Sequence, residues 1–331
     1  MVNIDNILFD PPLISTRTIE SINAERKNPA YLSLGIPVLS EFVMCRPTKV
    51  IGLLADTSQC KTTFKKEVAA NFTEQINGND GEVGIYFTWE DNIEDFGMKD
   101  IAKYSKVPVT SLYSGNVTDA EFKRMMKASA ERATVPLWIA GHSEKSETRP
   151  MLTMTDVFAV CDNLVSRQGR KIKFIMLDYL QRINRADTQE RDTRMQFVKI
   201  MDTIKNLALS YSTCVFISSQ VRRDMVEKHK WRQPQSHWAM ETSNFEHSCD
   251  GMMSLWYPYK SRDVWNLGDC LQEKQGIDGE AIFVRKETLL AEILKQKNGD
   301  TGIVKALDFI PEYSMFTKYN NADNVRLEVA K

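Results

Sequence analysis

The sequence has no apolar run long enough to cross a membrane. Its longest clearly apolar stretches, Val50–Ala55 and residues 174–177, fall far short of the roughly 20 residues that a transmembrane helix needs. The N-terminal segment MVNIDNILFDPP carries acidic side chains and no basic region, which is not the composition of a secretory signal. We therefore expect a soluble intracellular protein that does not bind a membrane.

Paired cysteines are also absent, and glycine and proline are scarce. The 6 cysteines are scattered with no C-x-x-C pair, which predicts neither a disulfide framework nor a zinc site. His237, His247 and Cys249 come nearest to a ligand cluster, and a structural role is the simpler interpretation for them. The 15 glycines and 11 prolines are too few for a disordered or fibrous chain. The length of 331 residues suits one large α/β domain or two smaller ones.

The sequence has no excess of either charge. Its 43 basic and 44 acidic residues give a formal net charge of -1. The whole molecule therefore has no field that would attract nucleic acid or an acidic membrane. Any binding of nucleic acid must depend on a local patch of basic residues.

Short apolar runs alternate with longer amphipathic runs from Val50 onward. The apolar runs predict strands over Val50–Ala55, residues 83–88, Leu137–Ala140, residues 172–177 and residues 214–218. The amphipathic runs predict helices over residues 62–76, 92–105, 155–169 and 192–211, and a capping box from Thr118 to Glu121 begins another. Strands separated by helices predict an α/β fold with a mostly parallel sheet flanked by helices.

The two ends of the chain differ from this central pattern. Asn298-Gly299 lies between the apolar runs 290–296 and 302–310, which predicts a hairpin and antiparallel C-terminal strands. The first 32 residues contain a predicted polar helix over residues 15–27 and too little apolar surface to fold alone. We predict an N-terminal arm over residues 1–32, a main domain over 33–318 and a C-terminal tail over 319–331.

A buried strand that runs into a small polar loop and a Lys-Thr pair is the strongest chemical feature. Residues 51–64 have the sequence IGLLADTSQCKTTF. In a phosphate-binding loop, backbone N–H groups face the phosphates, Lys61 reaches the β- and γ-phosphates, and the Thr62 hydroxyl holds Mg²⁺. Both glycines of the pattern G-x-x-x-x-G-K-T are replaced, by Ala55 and Cys60. An ordinary strand-to-helix turn is therefore an alternative.

Acidic and amide side chains follow other strands of the predicted sheet. Asp178 ends the strand in KFIMLDYLQR, where a carboxylate can hold Mg²⁺ or its water, or can cap the next element. Glu90 follows the strand in YFTWEDN and could polarise an attacking water, although Asp91 and Glu94 fit the same spacing. Gln220 follows the strand CVFISSQ and could sense a γ-phosphate or lie in a solvated loop.

Two loops contain the local positive charge that nucleic-acid binding requires. The basic residues are Arg182, Arg185, Arg191 and Arg194 after Asp178, and Arg222, Arg223, Lys228, Lys230 and Arg232 after Gln220. Trp231 and Trp238 lie beside the second group. Basic side chains that neutralise phosphates and aromatic rings that stack on bases suit single-stranded nucleic acid. A solvated basic loop is the alternative.

In their order and spacing, these motifs resemble the C-terminal RecA-like ATPase domain of the DnaB-type replicative helicases. The resemblance covers residues 34–318, and its most specific parts are DYLQ at 178–181 and KQKNGDTG at 295–302. It implies a RecA-like P-loop fold, ATP and Mg²⁺ as cofactors, and an ATP hydrolase of the helicase type. It also implies a hexameric ring or spiral on single-stranded DNA in the cytoplasm of a bacterial or phage-infected cell. A primase, a loader or other replication proteins are the implied partners.

The resemblance also assigns roles to individual residues. Glu90 matches the catalytic glutamate, Gln220 the glutamine that links the γ-phosphate to DNA, and Lys295 and Lys297 the basic residues inserted into a neighbouring subunit's ATP site. The residues expected to bind the nucleotide are Ala55, Asp56, Thr57, Ser58, Gln59, Cys60, Lys61, Thr62, Thr63 and Asp178, with Thr62 and Asp178 at Mg²⁺. The residues expected to contact DNA are Arg182, Arg185, Arg191, Arg222, Arg223, Lys228, Arg232, Met240, Glu241 and Ser243.

Several features depart from the family pattern. Cys60 replaces a glycine, which costs roughly 1–2 kcal/mol if that position needs a positive φ. Lys297 replaces an arginine finger, a group that contributes about 10³–10⁵ in rate, and Met240 replaces an arginine expected at the DNA backbone. The N-terminal primase-binding domain is not found in the sequence, and the helix of the arm could dock on a neighbouring subunit. The alternatives are a weakened nucleotide-binding scaffold and a recombinase-like or circadian-clock-like relative.

Overall fold

The computed structural model of the chain describes residues 10–27, 29–36, 39–40, 43–146, 151–228, 233–239, 244–259, 286–297 and 299–318. The α-helices are α1 (Pro11–Lys27), α2 (Lys61–Thr73), α3 (Ile93–Ser105), α4 (Val109–Ser114), α5 (Asp119–Arg132), α6 (Met154–Asp162), α7 (Thr193–Ser210), α8 (Arg223–Lys228) and α9 (Asn244–Ser248). The strands are β1 (Leu32–Ser33), β2 (Met44–Cys45), β3 (Val50–Ala55), β4 (Glu82–Thr88), β5 (Leu137–Ala140), β6 (Lys171–Asp178), β7 (Cys214–Gln220), β8 (Gly251–Trp256), β9 (Thr288–Gln296), β10 (Ile303–Ile310) and β11 (Met315–Lys318).

Within these ranges, nine strands form one sheet in the order β11-β10-β9-β8-β3-β7-β6-β4-β5. The strands from β8 to β5 are parallel, whereas β9, β10 and β11 each run antiparallel to the strand before them. A separate two-stranded ribbon pairs β1 with β2. The predicted mostly parallel sheet with antiparallel C-terminal strands is confirmed.

The central strand β3 is apolar on both faces because helices cover the sheet on both sides. All six of its residues are buried. Its Leu53 packs in the cluster that contains Phe64 of α2, and its Leu54 packs in the cluster that contains Ile204 of α7. Alternate residues of a strand point to opposite faces, so β3 contributes to both halves of the core. This placement fixes the helix that follows β3 against one face of the sheet.

Local helix signals in the sequence correspond closely to the structure. The capping box from Thr118 to Glu121 is present at the start of α5, as predicted. The predicted helix over residues 155–169 differs, because α6 ends at Asp162 and a π-helical turn continues to Arg167. Gly169 then adopts a φ of +63°, which glycine tolerates without a steric penalty, and the chain enters β6.

The helix predicted in the N-terminal arm is α1, and it has no buried residue. Leu13, Ile14 and Ile22 are among its exposed apolar side chains. The division into arm, main domain and tail stays a prediction, since residues 1–9 and 319–331 lie outside the described ranges. Among the helices of the described part of the chain, none is both long and apolar enough to cross a bilayer.

Asp250 joins several elements at the edge of the sheet where β3 begins. Its carboxylate accepts a hydrogen bond from the Val50 backbone N–H at 3.0 Å, pairs with Lys205 of α7, and lies 2.6 Å from the Lys297 ammonium. Only 6% of its side chain is exposed. Burial alone would raise the pKa of Asp250, but the hydrogen bonds from Lys205 and Lys297 outweigh it and lower the pKa to about 2.

We predict that the stabilisation from Asp250 is lost in acid. A pKa lowered from 3.8 to about 2 corresponds to about 2 kcal/mol of stability above the unfolded-state pKa, lost as the pH falls through the folded-state pKa. Asp250→Asn should therefore lower the free energy of unfolding at pH 7 by about 2 kcal/mol, and at pH 3 by about half as much. Urea unfolding of both proteins at the two pH values measures this. An equal difference at both would contradict the ionised pair.

Candidate functional site

The predicted phosphate loop connects β3 to α2 at the carboxyl edge of the sheet. Residues 56–60 form the turn, in which Thr57 and Ser58 are exposed and Gln59 is buried. The Gln59 side chain accepts a hydrogen bond from the Tyr257 backbone N–H, just beyond β8. Ser58 and Cys60 have φ values of +61° and +60°. The condition under which Cys60 costs backbone strain is therefore met.

The side chain of Lys61 is folded back onto this loop. Its ammonium donates to the backbone carbonyl oxygens of Ala55 at 3.1 Å and Asp56 at 2.6 Å. Burial lowers the pKa of Lys61, while the negative charge of Asp178 acts in the opposite direction. A phosphate that binds this loop would replace the carbonyl oxygens as partners of the ammonium. On the same helix, the Thr63 hydroxyl lies 3.3 Å from the Ser314 hydroxyl.

Asp178 lies at the centre of a buried polar cluster where β4, β6 and β7 end. It is 1% exposed, and its Oδ2 accepts a hydrogen bond from the Tyr86 hydroxyl of β4 at 2.8 Å. The Ser218 hydroxyl of β7 lies 3.4 Å from its Oδ1, and hydrogen bonding by the Thr62 side chain helps to lower the pKa of Asp178. The structure thus brings the hydroxyl and the carboxylate predicted to hold Mg²⁺ into contact.

Lys65 is a member of this cluster that the sequence patterns did not indicate. Its fully buried ammonium pairs with Asp178 Oδ1 and donates to the Ser218 hydroxyl at 2.7 Å and the Leu177 carbonyl at 3.3 Å. Burial lowers the pKa of Lys65, and the charge of Asp178 opposes this change. Burial would also raise the pKa of Asp178, but the charge and hydrogen bond of Lys65 outweigh it and lower that pKa. Helical spacing could have indicated Lys65, because residues four apart, such as Lys61 and Lys65, lie on the same side of a helix.

Three carboxylates follow β4 at a spacing that suits the polarisation of an attacking water, and their surroundings differ. Asp91 lies 2.8 Å from the Lys99 ammonium. Glu94 accepts hydrogen bonds from the Ser143 hydroxyl and from the Glu144 backbone N–H. The Glu90 side chain is exposed and has no hydrogen bond or ion pair with a described residue. Of the three, Glu90 has the carboxylate that is free to contact a water.

Gln220 lies at the end of β7, beside the last residue of β3. It pairs in register with Ala55, and its backbone N–H donates to Gln181 Oε1 at 3.2 Å. The Gln181 amide in turn donates to the Ser219 hydroxyl at 2.8 Å. Gln181 belongs to the DYLQ segment, although the sequence patterns assigned it no role. Its amide links the ends of β6 and β7.

Lys295 and Lys297 lie at the opposite edge of the sheet. Gln296 pairs with Gly251, and Gly251 pairs with Ile51 near the start of β3. The length of β3, about 20 Å at roughly 3.3 Å per residue, therefore separates them from the loop. Lys295 donates to the Glu246 carbonyl at 2.6 Å, and Lys297 is held by Asp250. Neither lysine contacts the polar cluster of its own chain.

The residues predicted to contact DNA follow β6 and β7, which are neighbours in the sheet. Arg182 donates to the Tyr179 hydroxyl at 3.2 Å, and the Arg185 guanidinium lies 5.1 Å from the centre of the Phe197 ring. Arg191 and Arg223 are exposed, and Arg222 is half-buried. Lys228 ends α8. Arg232, Met240, Glu241 and Ser243 lie outside the described residues, as do Lys230 and Trp231.

The expectation that Trp238 stacks on bases is wrong. This side chain is 4% exposed and packs in the core cluster with Phe245 and Cys249. Its ring N–H donates to His237 Nε2 at 3.0 Å. The tryptophan lies close to basic residues along the chain, but the short turn at 236–238 points it into the apolar interior. The basic residues after β7 therefore reach the surface without the Trp238 ring beside them.

Comparison with known proteins identifies related sequences. The profile of the family described as the DnaB-like helicase C terminal domain matches residues 43–318. The replicative DNA helicase DnaB of Geobacillus stearothermophilus is 24% identical over 268 residues, which cover 81% of this chain and 52% of that protein. The replicative DNA helicase DnaC of Bacillus subtilis is 23% identical with the same coverage. The chain thus spans about half the length of these curated relatives.

Solved structures support the same fold. A solved ATPase domain superposes with a TM-score of 0.74 at 16% identity, covering 94% of this chain and 100% of that one. A DnaB-like replicative helicase, studied with its interactions with primase, superposes with a TM-score of 0.73 at 18% identity, covering 96% of this chain and 70% of that one. The architecture is therefore RecA-like, as the sequence motifs predicted.

We predict that glycine at position 60 stabilises the loop. Because the φ of Cys60 is positive, Cys60→Gly should be more stable than Cys60→Ala by about 1 kcal/mol. Ala130 on the exposed face of α5 is the matched control, where Ala130→Gly should destabilise by about 1 kcal/mol. Urea unfolding of the variants measures both differences. Destabilisation by glycine at both positions would contradict the left-handed conformation of residue 60.

Proposed function

This chain belongs to the family of DnaB-like helicase C-terminal domains, and from that premise we propose that it is an ATP-dependent motor acting on single-stranded DNA. The observation that carries the proposal is the meeting of the phosphate loop, Thr62 and Asp178 at the carboxyl edge of the sheet. The exposed Glu90 side chain follows the end of β4 at the same edge. Ligands of open α/β sheets bind at this edge. The helicase names belong to relatives about twice as long, so the activity is our proposal for this chain.

The residues of the cluster suit the binding of a nucleoside triphosphate with Mg²⁺. Lys61 and the backbone N–H groups at the start of α2 would hold the phosphates. The Thr62 hydroxyl and the Asp178 carboxylate are the hard oxygen donors that Mg²⁺ prefers, and their contact with each other supports a shared ion. When bound, the ion would neutralise charge on the phosphates. The donor types therefore fit this metal, although the Lys65 ammonium that pairs with Asp178 opposes a second cation on the same carboxylate.

Glu90 is proposed as the residue that orients the attacking water and accepts its proton. Gln220 lies beside Ala55 at the end of the neighbouring strand, and its main chain is tied to the loop after β6 through Gln181. A shift at the γ-phosphate would therefore reach the segments after β6 and β7. These segments contain the arginines proposed to contact DNA, including Arg182 and Arg222.

The proposed active site requires a second copy of the chain. Lys295 and Lys297 are about 20 Å from the loop of their own chain, by the length of β3 at roughly 3.3 Å per residue. They lie on the sheet edge that a neighbour's nucleotide would face in a head-to-tail assembly. We therefore propose a ring or spiral, with six subunits as in the DnaB-type helicases that the sequence resembles.

The N-terminal arm is proposed as a docking element of this assembly. Helix α1 has no buried residue and exposes Ile14 and Ile22. Exposed apolar side chains on an otherwise polar helix are expected to pack against a partner surface. A primase, a loader or another replication protein is a further proposed partner, and the cytoplasm is the proposed location.

We predict that Glu90 is required for ATP turnover but not for nucleotide binding. Glu90→Gln should lower DNA-stimulated ATP hydrolysis by about 10²–10⁴-fold, because an amide cannot accept the proton of water. Lys61→Ala should lose nucleotide binding. The matched control is Asp91→Asn, which changes the neighbouring carboxylate that is already paired with Lys99.

Steady-state ATP turnover with and without single-stranded DNA, together with nucleotide binding, measures these effects. A similar loss in Glu90→Gln and Asp91→Asn would contradict the assignment of the base. Nucleotide binding by the wild-type protein with negligible turnover would indicate a nucleotide-binding scaffold instead of a motor.

We predict that Lys297 acts on the nucleotide of a neighbouring subunit. Lys297→Ala should bind nucleotide normally, because its own phosphate loop is intact. It should hydrolyse the nucleotide slowly, because each site then lacks the lysine of the neighbouring subunit. Mixing it with Lys61→Ala should restore turnover, since some interfaces then combine an intact Lys61 with an intact Lys297. The separate variants are the controls for the mixture. Turnover by the mixture that equals the sum of the separate variants would contradict action between subunits.

A further inference from the structure

Two ammonium groups of α2 lie at the proposed nucleotide site, and the proposed function uses only one of them. Lys61 and Lys65 are four residues apart, so one helical turn separates them on the same side of α2. Lys61 contacts the loop carbonyls, whereas Lys65 pairs with Asp178. The carboxylate proposed to face Mg²⁺ therefore already has a cation of its own.

The position of Lys65 is fixed by all of its hydrogen bonds. An ammonium has three N–H donors, and here they face the Asp178 carboxylate, the Ser218 hydroxyl and the Leu177 carbonyl. The side chain is fully buried. An ammonium with three buried acceptors and no contact with solvent does not leave when a ligand binds, because its charge would lose these partners.

The second oxygen of Asp178 is also engaged within the protein. Tyr86, itself fully buried, donates its hydroxyl proton to Oδ2 at 2.8 Å. The pair formed by Asp178 and Lys65 has no net charge, so it attracts a divalent cation less than a bare carboxylate would. The ammonium also repels any cation bound to the same carboxylate.

We propose that Lys65 is a specificity-determining residue that makes nucleotide binding by this chain only weakly dependent on Mg²⁺. The fixed ammonium supplies part of the positive charge that the phosphates need, and it weakens the hold of Asp178 on the divalent ion. This inference rests on the proposed nucleotide-binding function. The resemblance implies Mg²⁺ as a cofactor, and the inference concerns how strongly nucleotide binding by this chain depends on that ion.

A purely structural role for Lys65 makes a different prediction. If the pair with Asp178 only stabilised the fold, removal of its charge would change the free energy of unfolding without changing the response of nucleotide affinity to Mg²⁺. The ratio of affinities measured with Mg²⁺ and with EDTA is therefore the quantity that separates the two roles.

The experiment measures binding of fluorescent N-methylanthraniloyl-ADP to the full chain in millimolar Mg²⁺ and in EDTA. For the wild-type protein we expect the two affinities to differ by less than about threefold. For Lys65→Gln, which keeps a hydrogen-bond donor but removes the charge, we expect Mg²⁺ to tighten binding by about tenfold or more. Lys65→Arg should behave as the wild-type protein does.

Lys66→Gln is the matched control, because Lys66 is the next residue of α2 and is also largely buried. Its ammonium lies 3.8 Å from Asp91 and donates to the Phe96 carbonyl. It has no hydrogen bond or ion pair with Asp178 among the contacts that the structure describes. The affinity ratio of Lys66→Gln should therefore equal that of the wild-type protein.

A second measurement uses only the wild-type protein, so it tests the inference even if Lys65→Gln does not fold. Mn²⁺ binding by the wild-type protein with ADP, followed by electron paramagnetic resonance, should be weak for the same electrostatic reason. Tightening of wild-type nucleotide binding by tenfold or more in Mg²⁺ (about the change expected for a bare carboxylate) would overturn the inference without any variant. Tight Mn²⁺ binding would also overturn it.

The outcomes separate this inference from the proposed function. Nucleotide binding with equal Mg²⁺ dependence in the wild-type protein and folded Lys65→Gln would overturn the role of Lys65 alone. Failure of the wild-type protein to bind nucleotide in either solution would overturn the proposed function, and the inference with it. A weak Mg²⁺ effect in the wild-type protein and a strong one in Lys65→Gln would support both.

Discussion

The buried negative charge of Asp178 is the constraint on which the candidate site depends. A carboxylate removed from water needs a cation and hydrogen-bond donors, or its burial costs several kcal/mol. Here the donors come from Tyr86 of β4 and Ser218 of β7, and the cation comes from Lys65 of α2. Any shift of a strand end or of this helix would break one of these contacts. The position of the phosphate loop is thus coupled to the ends of three strands.

A second buried carboxylate fixes the opposite edge of the same sheet. Asp250 accepts from the first backbone N–H of β3 and pairs with Lys205 of α7 and with Lys297 beyond β9. Both edges therefore use a carboxylate that is compensated by lysines from distant parts of the chain. The two edges contain different groups, since one carries the loop and the other carries Lys295 and Lys297. This separation is the physical reason for proposing that nucleotide is enclosed between two copies of the chain.

Local patterns predicted the fold well, whereas contacts between distant residues escaped prediction. The strands β3 and β5 and the capping box of α5 depend on neighbouring residues, so the sequence patterns located them correctly. The pair between Lys65 and Asp178 joins positions far apart along the chain, and a lysine on an amphipathic helix resembles a solvated side chain. The prediction that Trp238 stacks on bases was wrong for the same reason, because proximity to basic residues along the chain does not determine whether a ring is buried. The roles assigned to the site residues, Glu90 among them, stay predictions.

The lysines of the candidate site all have partners within the chain, and this limits how tightly a ligand can bind. Lys61 bonds to loop carbonyls, and Lys297 bonds to Asp250. A phosphate that binds Lys61 replaces existing hydrogen bonds, so the gain is the difference between old and new partners, about 1.5–3 kcal/mol or less for each charged hydrogen bond. The same would hold for Lys297 if it binds a neighbour's phosphate as proposed, and Asp250 would then keep Lys205 and Lys49 as its cations. In the proposed assembly, nucleotide binding would therefore exchange contacts within the chain for contacts with the phosphates. Because both sets of contacts satisfy the lysines, the change would be readily reversible.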